Sequence, residues 1–191
     1  MTHHLSKGGS VPIPDAAAAP VPLLVAFGRR REPAFAHWRI DPCALVVGTQ
    51  ETATAAGLLV HAGAPALPDG GIRYLRNGDE PESTGAARIG VDLAALDTAA
   101  RVYLAATVVG ADGRPGTFGD VLGAHVRLTA HDELARYELD QDASTETAML
   151  FAEIYHRDRS WRFRALGQGF TTGLDGITDR YGGRTETART R

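Results

Sequence analysis

Apolar residues in this chain recur mostly at every second position. The clearest case is 121–129, where Leu122, Ala124, Val126 and Leu128 alternate with Gly123, His125, Arg127 and Thr129. Successive side chains of a strand point to opposite faces, so this alternation predicts a strand with one buried face. The following "ELARYEL" repeats it with Ala135, Tyr137 and Leu139 on one side, and "TAHDE" between the two is a turn signal. The segments "LLVAF" (23–27), "CALVVG" (43–48), "GLLVHA" (57–62), "IRYLR" (72–76), "ARIGVDL" (87–93) and "RVYLAATVV" (101–109) predict further strands. Between them lie "GAPALPDGG", "NGDEPESTG" and "GADGRPGTFGD", rich in the residues that turns demand.

The stretch 142–170 is less direct. "ETAMLFAEIYHRD" fits a helix nearly as well as a strand, because Ala148, Phe151, Ala152 and Tyr155 fall at helical spacing. In "SWRFRALG", Trp161, Phe163 and Ala165 alternate with Arg162, Arg164 and Leu166, which predicts a strand. Two long runs joined by a turn of four or five residues around His156-Arg157-Asp158-Arg159 predict a hairpin. Only "TTGLDGITDRYG" reads as a short helix, weakened by its two glycines. Many short strands with turns between them, and no room for repeated crossover helices, predict an all-β protein. The expected architecture is one β-sandwich domain over 1–182, its two sheets mostly antiparallel, with a short C-terminal helical segment and a disordered polar tail over 183–191.

Composition narrows the function classes. Hydrophobic residues make up 43% and charged residues 23% of 191, a globular balance. A net charge of −3 excludes a generally basic, nucleic-acid-binding surface, and Arg29-Arg30-Arg31 reads as a local turn. Cys43 is the single cysteine, so no internal disulfide forms; within "CALVV" it reads as a small buried residue. "LLVAF" is too short to span a bilayer and "MTHHLSKGGS" lacks an apolar leader, so a cytoplasmic location is expected.

The order of motifs in "FGDVLGAHVRL" and "ELARYELDQDASTETAMLFAEIYHRDRSWRFRALGQGF" resembles the TerD-type tellurium-resistance and stress proteins. That family shows a Phe-Gly-x-Val segment, an Arg-Leu strand, Ser-Thr-Glu-Thr-Ala, a Trp-x-Phe-x-Ala strand and Gly-Gln-Gly. The resemblance covers about 87–182, and "LSKGGSVPIP" is similar to the family's start. It implies a β-sandwich and calcium binding by acidic loops rather than catalysis, with protein partners in a stress response or at a membrane surface.

Measured against the family's acidic motifs, this chain departs. In "RIDPCALVV", Asp41 is retained, while Arg39 and Cys43 stand where the family has Asp and Ser. In "NGDEPESTGAARIGVDL", Gly78 and Asp79 are retained and Glu80 replaces Asn. The acidic run that follows in the family is replaced by Ala86, Ala87 and Arg88. The implied metal ligands are therefore Asp41, Asp79, Glu80 and Glu82, a degenerate calcium set if the two loops meet and a solvated turn if they do not. A metal-independent interaction or scaffold protein of the same fold stays open.

Other candidates carry less. Asp140, Asp142, Ser144, Thr145 and Glu146 form an oxygen-rich loop without the spacing of a helix–loop–helix calcium site, and capping of backbone amides is its expected use. His3, His4, His37, His61, His125, His131 and His156 show no metal-ligand spacing. Glu153 and Asp158 are not placed together by the sequence as paired carboxylates. Neither a P-loop nor a Gly-x-Ser-x-Gly elbow occurs, and the expectation is a non-enzymatic protein.

Overall fold

The alternation becomes register. Val126 lies opposite Tyr137 on one side and Phe27 on the other, and Leu128 lies opposite Ala135 and Val25, all with side chains buried. The computed structural model describes residues 2–14, 22–30, 33, 36–48, 57–76, 87–139, 144–181 and 183–184. Its elements are β1 (His3–Leu5), β2 (Ser10–Pro12), β3 (Leu23–Gly28), β4 (Trp38–Val47), β5 (Gly57–Val60), β6 (Ile72–Leu75), β7 (Arg88–Val91) and β8 (Arg101–Gly110). They continue with β9 (Pro115–Gly116), β10 (His125–Thr129), β11 (Glu133–Glu138), β12 (Ala148–Arg157), β13 (Ser160–Phe170), α1 (Leu174–Tyr181) and β14 (Gly183–Arg184).

Among the described residues these strands make two sheets. One has six strands in the order β1-β11-β10-β3-β7-β6. The other has eight, with β14-β5-β4-β8-β12-β13-β2 in line and β9 paired to β8. All pairings are antiparallel except β1 with β11 and β14 with β5. The expected all-β sandwich with a C-terminal helix is the fold.

Its main core lies between the sheets. Phe151 of β12 meets Phe27 of β3 edge-on at 5.3 Å, and Phe118 packs on Phe151 at 5.7 Å. A second cluster lies on the other face of the eight-stranded sheet, where Ile177 of α1 covers Cys43, Leu45, Leu59, Ala105, Ala148 and Leu150. Burial of Ile177, 1% exposed, is what holds a helix that carries a glycine. Because β12 is covered on both faces, Ala148–Ile154 are all buried. A bulge between Leu150 and Ala152 adds a break in the alternation. These two facts explain why the segment mimics helical spacing.

Four boundaries differ from the sequence reading. Residues 121–124 are bends rather than strand, although Val121 and Ala124 are still buried. β4 starts at Trp38, five residues earlier than expected, and runs straight through Pro42. Proline is tolerated there because, among the described residues, β5 pairs only with Ala44–Val46 and leaves that part of β4 a sheet edge. The hairpin loop is two residues, with Arg157 opposite Ser160. Asp158 and Arg159 adopt φ of 52° and 64°, as a tight turn matching the strand twist requires. Finally, Gly183–Arg184 pairs with β5 inside the stretch expected to be a tail, while 185–191 lie outside the described residues.

The N-terminal segment joins the two sheets. β1 pairs with Ala135–Tyr137 in one, and β2 pairs with Arg162–Arg164 in the other. Between them Gly8 takes φ 83° and donates its N–H to the Ala165 carbonyl at 2.9 Å.

Candidate functional site

Asp41 was expected in an acidic loop; it sits instead within β4, opposite Thr107 of β8. Alternation gives it the same face as Cys43 and Leu45. Tyr74 comes from β6, the edge of the other sheet, and donates its hydroxyl to Asp41 Oδ1 at 2.6 Å. Burial pushes the Tyr74 phenol well above its usual range, and the bond to the Asp41 carboxylate pushes it further. The Arg39 and Arg76 guanidiniums pull the other way, so two positive charges act at the same place. Among the described residues, Asp41 holds this hydrogen bond rather than an ion pair with Arg39.

Asp79, Glu80 and Glu82, with Gly78, lie outside the described residues. The chain leaves β6 at Leu75 and enters that segment just after Arg76, so the segment begins three residues beyond Tyr74. The described residues alone do not fit calcium, which takes about six to eight oxygens. They supply one carboxylate, already accepting a hydrogen bond, beside two arginines. No group of three or more His, Cys, Asp or Glu converges among the described residues.

Cys43 is 2% exposed beneath α1, and burial, helped by the Asp41 charge, pushes its thiol up to about 12. A thiol held protonated is a poor nucleophile and a poor soft ligand. Half-buried His125 lies over Gly28, where an added Cβ would come within 2.6 Å of its ring. Burial lowers its pKa, and Nδ1 meets the Gly123 carbonyl at 3.0 Å. Arg29 donates to the carbonyl of Trp38 at 3.0 Å and so ties the start of β4, while Arg31 lies outside the described residues.

The ordered motifs of 118–170 meet one another. The Phe118 N–H donates to the Glu146 carbonyl at 2.8 Å, and Gly119 fits against the Ser144 backbone, which a Cβ would overlap. Glu146 Oε2 accepts from the amides of Ser144 and Thr145 at 2.8 and 3.1 Å. That is the amide capping expected of this loop, whose Asp140 and Asp142 lie outside the described residues. Gln168 accepts the Tyr181 hydroxyl at 3.0 Å, and Gly169 leaves room for the Glu146 side chain. These residues position strands.

Glu153 has a role that sequence reasoning missed. It is 1% exposed and faces Arg101 and Arg164 rather than Asp158, which lies in the hairpin turn and pairs with Arg157. Arg101 Nη1 donates to Oε2 at 3.1 Å, and Arg164 Nη2 forms an ion pair with Oε1. Both guanidiniums also lie over the Tyr155 ring, 5.5 and 5.3 Å from its centroid. The signal was available: a lone carboxylate in the apolar run "LFAEIY" needs a partner, and Arg164 alternates with the core residues of the next strand.

A TerD domain family model matches residues 1–181. Tellurium resistance protein TerD of Serratia marcescens is 32% identical over 189 residues, 95% of this chain and 98% of that protein. General stress protein 16U of Bacillus subtilis (strain 168) is 36% identical over 85 residues, 43% of this chain and 44% of that protein. A crystal structure of a homologue of telluride resistance protein (TerD) from Streptomyces coelicolor A3(2) covers 86% of this chain and 99% of its own. It superposes with a TM-score of 0.59 at 19% identity, a likeness of fold. With the family match running through β1 to α1, this chain belongs to the TerD domain family.

Proposed function

We propose that this chain is a non-enzymatic, cytoplasmic binding module that works through protein partners in a stress response, with a degenerate calcium site. The names of its relatives support a tellurium-resistance or stress-related role. Calcium, where it binds, takes its oxygens from Asp41 with Asp79, Glu80 and Glu82. The observation that carries the reading is the Tyr74–Asp41 hydrogen bond between Arg39 and Arg76. Affinity for calcium follows ligand charge and count, and this set falls toward the weak end, about 10⁻⁴–10⁻³ M. The non-enzymatic part is supported by the protonated, covered Cys43 and by Glu153, whose carboxylate is engaged by two arginines. A metal-independent scaffold is the second reading, favoured by the same hydrogen bond, which satisfies Asp41 without an ion.

The test is a calorimetric calcium titration of chelator-stripped protein with melting curves alongside. A ligand that binds only the native state raises the melting temperature with its saturation. Millimolar binding that disappears in Asp79→Ala is the expected result. Micromolar binding overturns the degenerate site, and no heat at millimolar calcium selects the scaffold.

A further inference from the structure

Three strands of the eight-stranded sheet, β8, β12 and β13, carry a second set of chemistry on the outer face, beyond the part covered by α1, whose Tyr181 stacks on Tyr103 at 4.3 Å. Their register sets two rows across the sheet: Arg101, Tyr155 and Arg162 in one, and Tyr103, Glu153 and Arg164 in the next. The residues between them, Val102, Ile154 and Phe163, point into the main core, so the rows face outward. Arg101 and Arg164 are 50% and 39% exposed, while the Glu153 between them is almost fully covered.

Among the described residues, one carboxylate against three guanidiniums leaves these rows positive in a chain whose net charge is −3. Asp158, at the hairpin end, is matched by Arg157 at 3.5 Å. Arg164 Nε and Glu153 Oε1 are both screened from water without a hydrogen-bond partner, so the cluster's internal hydrogen bonding is incomplete. Among the described residues, the Arg162 guanidinium makes one hydrogen bond, to Ser10 Oγ at 3.3 Å.

We propose that this face is a docking surface for an acidic protein segment in extended conformation. It deepens the binding-module reading and rests on it, but uses none of the calcium residues. Guanidiniums recognise carboxylates through paired N–H donors, and Arg162 and Arg164 repeat along one face of β13 at about 6.6 Å. That display matches carboxylates strung along an extended chain better than one compact phosphate. Glu153 and Tyr155 already hold Arg101 and Arg164 in place, so little rotamer freedom is lost on binding. The two guanidiniums lie over the Tyr155 ring while staying partly exposed. A single chain can approach them there; a flat anionic bilayer makes poorer contact.

The experiment measures fluorescence anisotropy of a labelled decapeptide of alternating Glu and Ser, in chelator at about 0.15 M salt, where distant surface charges are screened. The wild-type chain binds, and Arg162→Glu weakens binding about tenfold. Arg162 is not a partner of Glu153, so the buried ion cluster survives, and Arg162→Gln gives a milder loss in the same direction. Tyr155→Leu weakens binding several-fold while every charge is kept, an effect that a diffuse positive surface does not produce. Arg114→Glu, on the β8–β9 turn, changes binding less than twofold. No peptide binding up to millimolar, or equal losses for Arg114→Glu and Arg162→Glu, overturns the surface. Sedimentation of the wild type with phosphatidylserine vesicles, without peptide binding, also overturns it. Because chelator is present throughout, none of these results depends on the calcium titration.

Discussion

Tyr74 and Asp41, 33 residues apart in the chain and on different sheets, share a hydrogen bond of 2.6 Å. The phenol keeps its proton in the folded state because burial and the carboxylate both disfavour phenolate. Its folded pKa is therefore above its unfolded one. That contribution to stability is complete below pH about 10 and is lost as pH rises through the folded value. Tyr74→Phe removes about 1 kcal/mol at neutral pH. It also flattens part of the alkaline loss, which melting curves from pH 8 to 11 read directly. An alkaline slope identical to that of the wild type would show that the bond does not form.

Cys43 follows the same sign. Its thiol rises from its ordinary 9.0 to about 12, so its contribution is complete below pH 9 and disappears as pH climbs toward 12. In native protein at pH 8, a thiol-reactive dye labels Cys43 slowly, and denaturant restores full reactivity. Rapid labelling without unfolding would mean that α1 does not cover it.

Glu153→Ala removes the one carboxylate between Arg101 and Arg164. Breaking a buried pair costs roughly 3–5 kcal/mol, but both arginines reach water here, so about 2–3 kcal/mol is expected. Chemical denaturation measures it. A loss under 0.5 kcal/mol would show that the cluster adds nothing to the fold.

Arg159→Gly acts on the hairpin. Arg159 holds φ 64°, a left-handed conformation costing an ordinary residue about 1 kcal/mol, which glycine avoids. After the extra unfolded-state freedom of glycine is set against this, a gain of roughly 0.5 kcal/mol remains. A lower denaturation midpoint for the variant would contradict the tight turn.

How much the chain disclosed depended on how many faces of a strand are buried. β10, β11 and β13 were legible because one face is covered, so Val126, Tyr137 and Phe163 alternate with polar neighbours. β12 was ambiguous because α1 and the opposite sheet cover both sides, and only pairing with Arg157–Ser160 fixes its form. Asp41 was found through the family resemblance, but Pro42 hid the strand around it. Its actual partner, Tyr74, read only as part of a strand, because nothing local announces a hydrogen bond across sheets. Glu153 was visible as a residue and not as a cluster, since its arginines lie 52 and 11 residues away.

The N-terminal segment sets a timetable for folding. Its strands pair with Ala135–Tyr137 and Arg162–Arg164, more than 130 and about 150 positions later. On a ribosome β1 and β2 therefore wait, unpaired, until β11 and β13 have emerged. Loop closure over such separations is slow, and meanwhile the edges of β11 and β13 lie open to other nascent chains. The β1–β2 segment thus closes both sheets only after their later strands exist. Crowded synthesis, rather than the finished protein, is where aggregation risk concentrates.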